Sequence, residues 1–212
     1  MDRFDPLSVE NVGVTLAVEL LEQPLSKMPP DTPFVGAGVY ALYYYGNHAA
    51  YSALCQLDGG KFKYPIYIGK AAGESAKQGF SPNGSGERKL HGRIVEHARS
   101  IDAVENLNLD EFRCRYLVLN DAYIALAESV MIRLFRPPWN GMSFGSKVVG
   151  SFREGGTPSL WDALHPGRRG RPAGSERAEE AAKLIAKRSA ELSQDLADPT
   201  LRRMYERVMK FI

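Results

Sequence analysis

Two short aromatic motifs, Gly38-Val39-Tyr40 and Tyr67-Ile68-Gly69, precede Arg93 and His97, a lone Glu128 in an apolar stretch, and Asn140 behind Pro137-Pro138. Two phenols, a guanidinium, an imidazole and one carboxylate form a set suited to phosphodiester hydrolysis. Arginine offers a planar donor fork to a phosphate. Histidine passes protons near neutral pH. A carboxylate, with water and phosphate oxygens, suits a hard divalent cation. A phenol has an ordinary pKa of about 10 and needs a nearby cation or metal-bound water to act as a base.

Each member also has a plainer reading. Ile124, Ala125, Met131 and Ile132 lie about one helical turn from Glu128. A carboxylate there is costly to bury unless paired or metal-bound, so a salt bridge to a nearby arginine is the alternative to a metal. Arg93 and His97 are four apart and share a helix face; on their own they describe a solvated arginine beside a half-buried histidine. Tyr40 and Tyr67 stand in strands, where tyrosine is common filler. Asn140 precedes Gly141 and reads as a turn tie supporting the site. Arg168, Arg169 and Arg171 lie between glycines and prolines. They suit a phosphate backbone or guanine edges, or form a solvated loop.

The elements that carry these residues can be read from pattern. Residues 37–45 are aromatic and β-prone and predict a buried strand, with further strands over 64–69 and 112–119. Residues 8–22 read as a helix with Ser8 as N-cap and Pro24 beyond its end. Residues 48–57 suit a short helix, and 72–87, rich in Gly, Ser, Asn and Pro, an exposed loop. In a helix over 87–101, Leu90, Ile94, Ala98 and Ile101 share a face. Asp121 is placed to cap a helix over 122–135, which Pro137-Pro138 ends. Residues 165–175 read as a basic, flexible loop. Ser175 then caps a helix of about twenty residues that opens with Glu176 and Glu179. Asp198-Pro199 starts a last helix, with Leu201, Met204, Tyr205, Val208 and Ile212 as its apolar stripe.

The 212 residues, 44% of them hydrophobic, suffice for one domain with a packed core and sizeable additions. A net charge of +2 does not by itself indicate nucleic acid, but its distribution is uneven. Residues 143–212 hold 13 Lys+Arg against 9 Asp+Glu, and residues 1–142 hold 14 against 16. Four histidines, scattered, do not suggest a histidine metal cage. Two cysteines, Cys55 and Cys114, favour a reduced intracellular setting over a disulfide framework. The first residues lack a signal-peptide pattern, and no apolar run approaches the length of a membrane span.

Together, Gly38-Val39-Tyr40, Tyr67-Ile68-Gly69 with Lys70 behind it, Arg93, Glu128 and Asn140 resemble the GIY-YIG nuclease superfamily over about residues 36–142. The first motif departs mildly from the family name. The long gap between the tyrosine motifs, and His97 one turn after Arg93, resemble its type II restriction endonucleases, in particular small homodimeric enzymes that cut CCGCGG.

The resemblance implies an α/β (α+β) fold: a small three-stranded, largely antiparallel sheet flanked by helices, in a single nuclease domain over 1–212. Residues 1–35, the insertion 46–64, the loop 72–87 and residues 143–212 would be additions for DNA grip and dimerisation. It implies double-stranded DNA as substrate and a homodimer matched to a palindrome. It further implies a bacterial cytoplasmic setting and a cognate DNA methyltransferase that protects host DNA without being a stable partner. Tyr40, Tyr67, Lys70, Arg93, His97, Glu128 and Asn140 then form the catalytic set, with Arg168, Arg169 and Arg171 on DNA. Glu128 holds one Mg²⁺ and Arg93 stabilises charge on phosphorus. Tyr40 takes the proton of the attacking water with help from His97. Tyr67 bonds the nucleophile or phosphate, and Lys70 lowers a tyrosine pKa by its charge. A structure-specific repair nuclease and a non-catalytic DNA-binding protein on the same scaffold are the rival readings.

Overall fold

The computed structural model describes residues 5–72, 87–145, 156–172, 174–192 and 197–211. Nearly all of the loop expected over 72–87, parts of the C-terminal extension and Ile212 lie outside these residues.

Strand β2 (Gly38–Tyr44) is buried along its whole length. It pairs antiparallel with β3 (Tyr67–Ala71) on one side and β4 (Phe112–Val118) on the other. A fourth strand, β1 (Ser26–Lys27), joins β4, giving the order β1-β4-β2-β3 with every pair antiparallel. Three strands were expected. The added one is two residues long between Pro24 and Pro29-Pro30, too short to show the period-2 alternation that reveals a strand.

Strand alternation sends the side chains of β2 into two cores. Tyr40, Leu42 and Tyr44 enter one, with Leu90, Ile94, Ala98 and Ile101 of α3 (Lys89–Asp102) and the indoles of Trp139 and Trp161. Val39, Ala41 and Tyr43 enter the other. There they meet α1 (Val9–Glu22), α4 (Asp121–Phe135) and α7 (Pro199–Met209). No described helix is long and apolar enough to cross a membrane.

Local signals set the helix starts. Ser8 caps α1 by accepting from Asn11 N, and Asp198 caps α7 by accepting from Thr200 N and Leu201 N, with Pro199 at its first position. The cap of α4 is Asn120 rather than Asp121: its side chain accepts from Ala122 N. The helix expected to follow Ser175 directly is α6 (Ala178–Leu192), with Glu179 and Glu180 in its first turn. A short helix, α5 (Leu160–Leu164), was not foreseen.

The insertion after β2 forms a 3₁₀ turn (Ala49–Tyr51) and α2 (Ser52–Asp58). The hydroxyl of Tyr51 locks it down, accepting from Trp139 Nε1 at 2.9 Å and donating to His165 Nε2 at 2.5 Å. His165 Nδ1 donates in turn to Asn106 Oδ1 at 2.9 Å. The 165–175 segment therefore begins on a fully buried histidine. Its start is anchored to the core.

Part of the apolar stripe of α7 packs within the chain, with Leu201 and Tyr205 half-buried against the second core. Met204 and Val208 are buried in the second core, and Arg203 forms a two-bond pair with Glu10 of α1, both contacts at 2.6 Å.

Candidate active site

In the β2–β3 register Tyr40 sits opposite Gly69 and Leu42 opposite Tyr67. Both tyrosines thus face α3. A Cβ on Gly69 would stand 2.3 Å from the Tyr40 hydroxyl oxygen, so the absence of a side chain there lets the phenol cross over β3. A Cβ on Gly38 would come 2.0 Å from the Leu117 carbonyl oxygen, so this motif glycine admits the backbone of β4.

The Tyr40 hydroxyl meets His97 Nε2 at 2.6 Å, inside the protein. Tyr40 is fully buried and His97 is 1% exposed. Desolvation raises the Tyr40 pKa well above 10, with Tyr67 adding to the rise and the Arg93 charge opposing it. Desolvation lowers His97 from 6.5 to about 3, helped by the charges of Arg93 and Arg168. The imidazole is therefore neutral, with a lone pair available to the phenol. Tyr67 is raised mainly by burial, with Arg93 opposing and Glu128 contributing to the rise.

Arg93 projects from the same face of α3. Its NH2 donates to the Gly145 carbonyl at 2.7 Å and its NH1 to Glu96 Oε2 at 2.7 Å. Phe144 stacks on the His97 ring with centroids 4.7 Å apart. Gly145 has φ +76°, and a Cβ there would lie 2.5 Å from His97 Cε1.

Lys70, between Gly69 and Ala71, points to the opposite face of β3. There its Nζ reaches Glu128 Oε2 of α4 at 2.7 Å. The Glu128 side chain is 20% exposed, so it keeps contact with solvent. Strand β3 lies at the edge of the sheet. Tyrosines, Arg93 and His97 on one face and Lys70 and Glu128 on the other thus meet around that edge.

The edge itself is closed by the 3₁₀ turn Pro138–Gly141. Trp139 N donates to Ile66 O at 3.1 Å. The Asn140 side chain accepts from Ile68 N at 2.9 Å and donates to Ile68 O at 2.7 Å. An asparagine amide carries the donor and acceptor that an unpaired strand residue needs. It thereby fixes the strand between Tyr67 and Gly69.

A model of the Eco29kI GIY-YIG domain, a restriction endonuclease family, matches residues 32–192. The chain belongs to this family. No curated protein matches it. The match takes in all of the residues gathered here and continues through α6. Helices α1 and α7 and strand β1 lie wholly outside it.

In this GIY-YIG nuclease the sequence-predicted residues fall into three groups. Tyr40, Tyr67, Arg93 and His97 are brought together. Glu128 and Lys70 form a second group and are each other's partner, where an arginine was the expected alternative for Glu128. Lys70 is thus drawn away from the tyrosines, because strand alternation turns it from the face they occupy; the cation acting on Tyr40 is Arg93. The third group divides: Arg168 packs into the core close enough for its charge to act on His97. The Arg168 side chain is 8% exposed, its Nε donates to Asp162 Oδ1 at 2.7 Å, and its guanidinium lies 4.5 Å over the Trp161 ring. Arg168 is thus paired within the core, where an open contact to DNA was expected. Arg169 is exposed and Arg171 half-buried.

Phe144 and Gly145 were missed. Only the Gly itself signalled them, and a glycine after a Pro-Pro-Trp turn is not distinctive. Among the described residues no three His, Cys, Asp or Glu converge as a metal cluster. Glu128 offers one solvent-reachable carboxylate beside an ammonium. That donor set fits a magnesium ion, which keeps several waters and binds through one or two carboxylates plus substrate phosphate.

Proposed function

We propose that this GIY-YIG restriction endonuclease is a type II enzyme hydrolysing both strands of duplex DNA at a GC-rich palindrome, as a Mg²⁺-dependent homodimer, with CCGCGG the first sequence to test. The observation that carries the reading is the buried 2.6 Å contact of Tyr40 with His97, beside Arg93 and around one strand edge from Glu128. The reading treats the 212 residues as one nuclease unit of the bacterial cytoplasm. A separate methyltransferase of matching specificity shields host DNA without a lasting complex.

The chemistry is one-step inversion at phosphorus. Arg93 receives the phosphate: an incoming phosphodiester displaces the exposed Glu96, while the bond to Gly145 keeps the guanidinium aimed. Negative charge arriving on Arg93 removes part of what suppresses protonation of His97, so His97 grows more basic as the complex forms. Tyr40, closed to solvent in the free protein, accepts the proton of an attacking water admitted as the duplex binds, while its own passes to His97 Nε2. Burial forbids a free-standing phenolate at Tyr40, so the two transfers are coupled. Tyr67, less buried, donates to the nucleophile or to a phosphate oxygen. Asn140 holds β3 so that both tyrosines stay in register. Glu128 is the residue that would hold magnesium. The bound ion supplies Lewis-acid neutralisation of charge on the phosphate and leaving oxygen.

The test is incubation of the protein with long duplex DNA and Mg²⁺, followed by sequencing of the ends. Discrete fragments with one palindrome at every end support the reading. Cutting confined to branched substrates points to a structure-specific nuclease, and binding without cutting to a non-catalytic protein; either outcome overturns it.

A further inference from the structure

A cavity of about 700 Å³ opens where the C-terminal end of α4, the Pro138–Gly141 turn, α6 and the start of α7 meet. Arg133, Arg136 and Arg188 line it, with Asp198 and Asn140. Nothing in the catalytic scheme uses these arginines.

Their charges are poorly balanced. Arg133 lies 3.6 Å from Asp198, Arg136 lies 3.9 Å from Glu191, and Arg188 lies 3.0 Å from the same Glu191. Lys187 also shares Glu191, at 4.0 Å. Among the described residues, four cations thus share two carboxylates, and most of the distances exceed hydrogen-bond length. Arg136 is the least satisfied. Its Nε is buried and has no hydrogen-bond partner among the described residues. Leaving a buried polar group unpaired is costly, and charged groups cost most. Three guanidinium groups around one hollow, Arg133 and Arg136 thinly partnered among the described residues, suit an anion with several acceptor oxygens.

Its position says which anion. Asn140 is the shared wall: it lines this cavity and clamps Ile68, between Tyr67 and Gly69. Arg133 on α4 and Arg136 at its C-cap follow Glu128 by five and eight residues. At ~1.5 Å rise per residue that is roughly 7–12 Å along the helix. A nucleic-acid strand carries one phosphate per ~3.4 Å of axis, so the hollow lies about two to four nucleotides from the carboxylate.

We infer that this cavity, through Arg133, Arg136 and Arg188, binds a backbone phosphate of the substrate duplex a few nucleotides from the scissile bond. The inference rests on the DNA-cleaving reading and extends it. The site grips without reading sequence and holds the duplex in register against Glu128.

The test is equilibrium binding to a CCGCGG duplex and to a duplex lacking it, in EDTA so that nothing is cut, across a NaCl series. Wild type is compared with Arg133→Gln and with Arg133→Gln/Arg188→Gln. Arg133 is 67% exposed, so the single variant leaves the fold intact. The single variant is expected to lower the slope of log affinity against log salt by about one, and the double variant by one to two. Affinity near 0.1 M salt should fall about tenfold or more in the double variant, equally for both duplexes. Slopes and affinities matching wild type overturn the inference while leaving the nuclease reading in place. Failure of wild type to bind any duplex overturns both. Inorganic phosphate is the second probe. If it raises the melting temperature of wild type but not of the double variant, while the DNA curves coincide, the cavity takes a free anion and the duplex assignment is overturned.

Discussion

The Tyr40 hydroxyl and His97 Nε2 form a 2.6 Å contact sealed from solvent, although the two residues are far apart in the chain. A neutral imidazole with a pKa of about 3 and a phenol held well above 10 are each poor at ionising alone. As a coupled pair they pass a proton without either charge standing unshared. Tyr40→Phe is expected to slow cleavage by about 10²–10⁴-fold, the usual worth of a positioned acid or base. His97→Gln should lose less, and the double variant should lose no more than Tyr40→Phe, since the two act as one unit. Single-turnover cleavage measures all three; additive losses would mean two independent roles.

Glu128 and Lys70 make the opposite kind of pair, a half-exposed contact at 2.7 Å. Such a pair adds little stability, about 0–1 kcal/mol. Its interest lies in the competition between an ammonium and a divalent ion for one carboxylate. Glu128→Gln should reduce cleavage on the order of 10³-fold while duplex binding persists, as expected when several kcal/mol of charge stabilisation are lost. Lys70→Met should instead lower the Mg²⁺ concentration for half-maximal cleavage. A Glu128→Gln enzyme cutting at the normal rate would end the metal assignment.

Arg168 inverts its sequence-based role. It is buried against Asp162 and over Trp161, so truncation strands the Asp162 carboxylate. Arg168→Ala should cost about 3–5 kcal/mol of stability, the range for breaking a buried pair. Arg169→Ala, on the exposed neighbour, should change stability by less than about 0.5 kcal/mol. Urea unfolding of the two variants distinguishes them. Equal stability would place Arg168 back among solvent-facing residues.

These contrasts show what pattern reveals and where it stops. Period and caps mark α1, α3, α4, β2 and β4 within a residue or two, because amphipathic spacing and Pro or Ser punctuation are local. Arg93 and His97 are legible for the same reason: four residues in a helix project from one face. The direction of Lys70 is also local, since strand alternation opposes it to Gly69, but its partner on α4 is a tertiary fact. Gly69 reads as a strand end in sequence; the crossing of Tyr40 above it depends on the register with β2. Arg168 reads as loop charge because nothing local announces that Asp162 and Trp161 lie beneath it. Strand β1 and helix α5 are too short for any period to register.

Stability should depend on acid through two histidines. His97 and His165 are buried neutral, and burial lowers each from 6.5 to about 3. Below pH 6.5 the unfolded chain binds protons at both positions and the native fold does not. Their stabilising contribution is thus complete above about pH 6.5 and is lost as pH falls toward 3. The slope approaches ~1.4 kcal/mol per pH unit for each. Urea unfolding between pH 6 and 4.5 should show this fall. His165→Gln, which deletes one titrating group and its bond to Tyr51, should be less stable at pH 7.5 yet lose stability about half as steeply on acidification. An unchanged slope would mean that His165 protonates freely within the native protein.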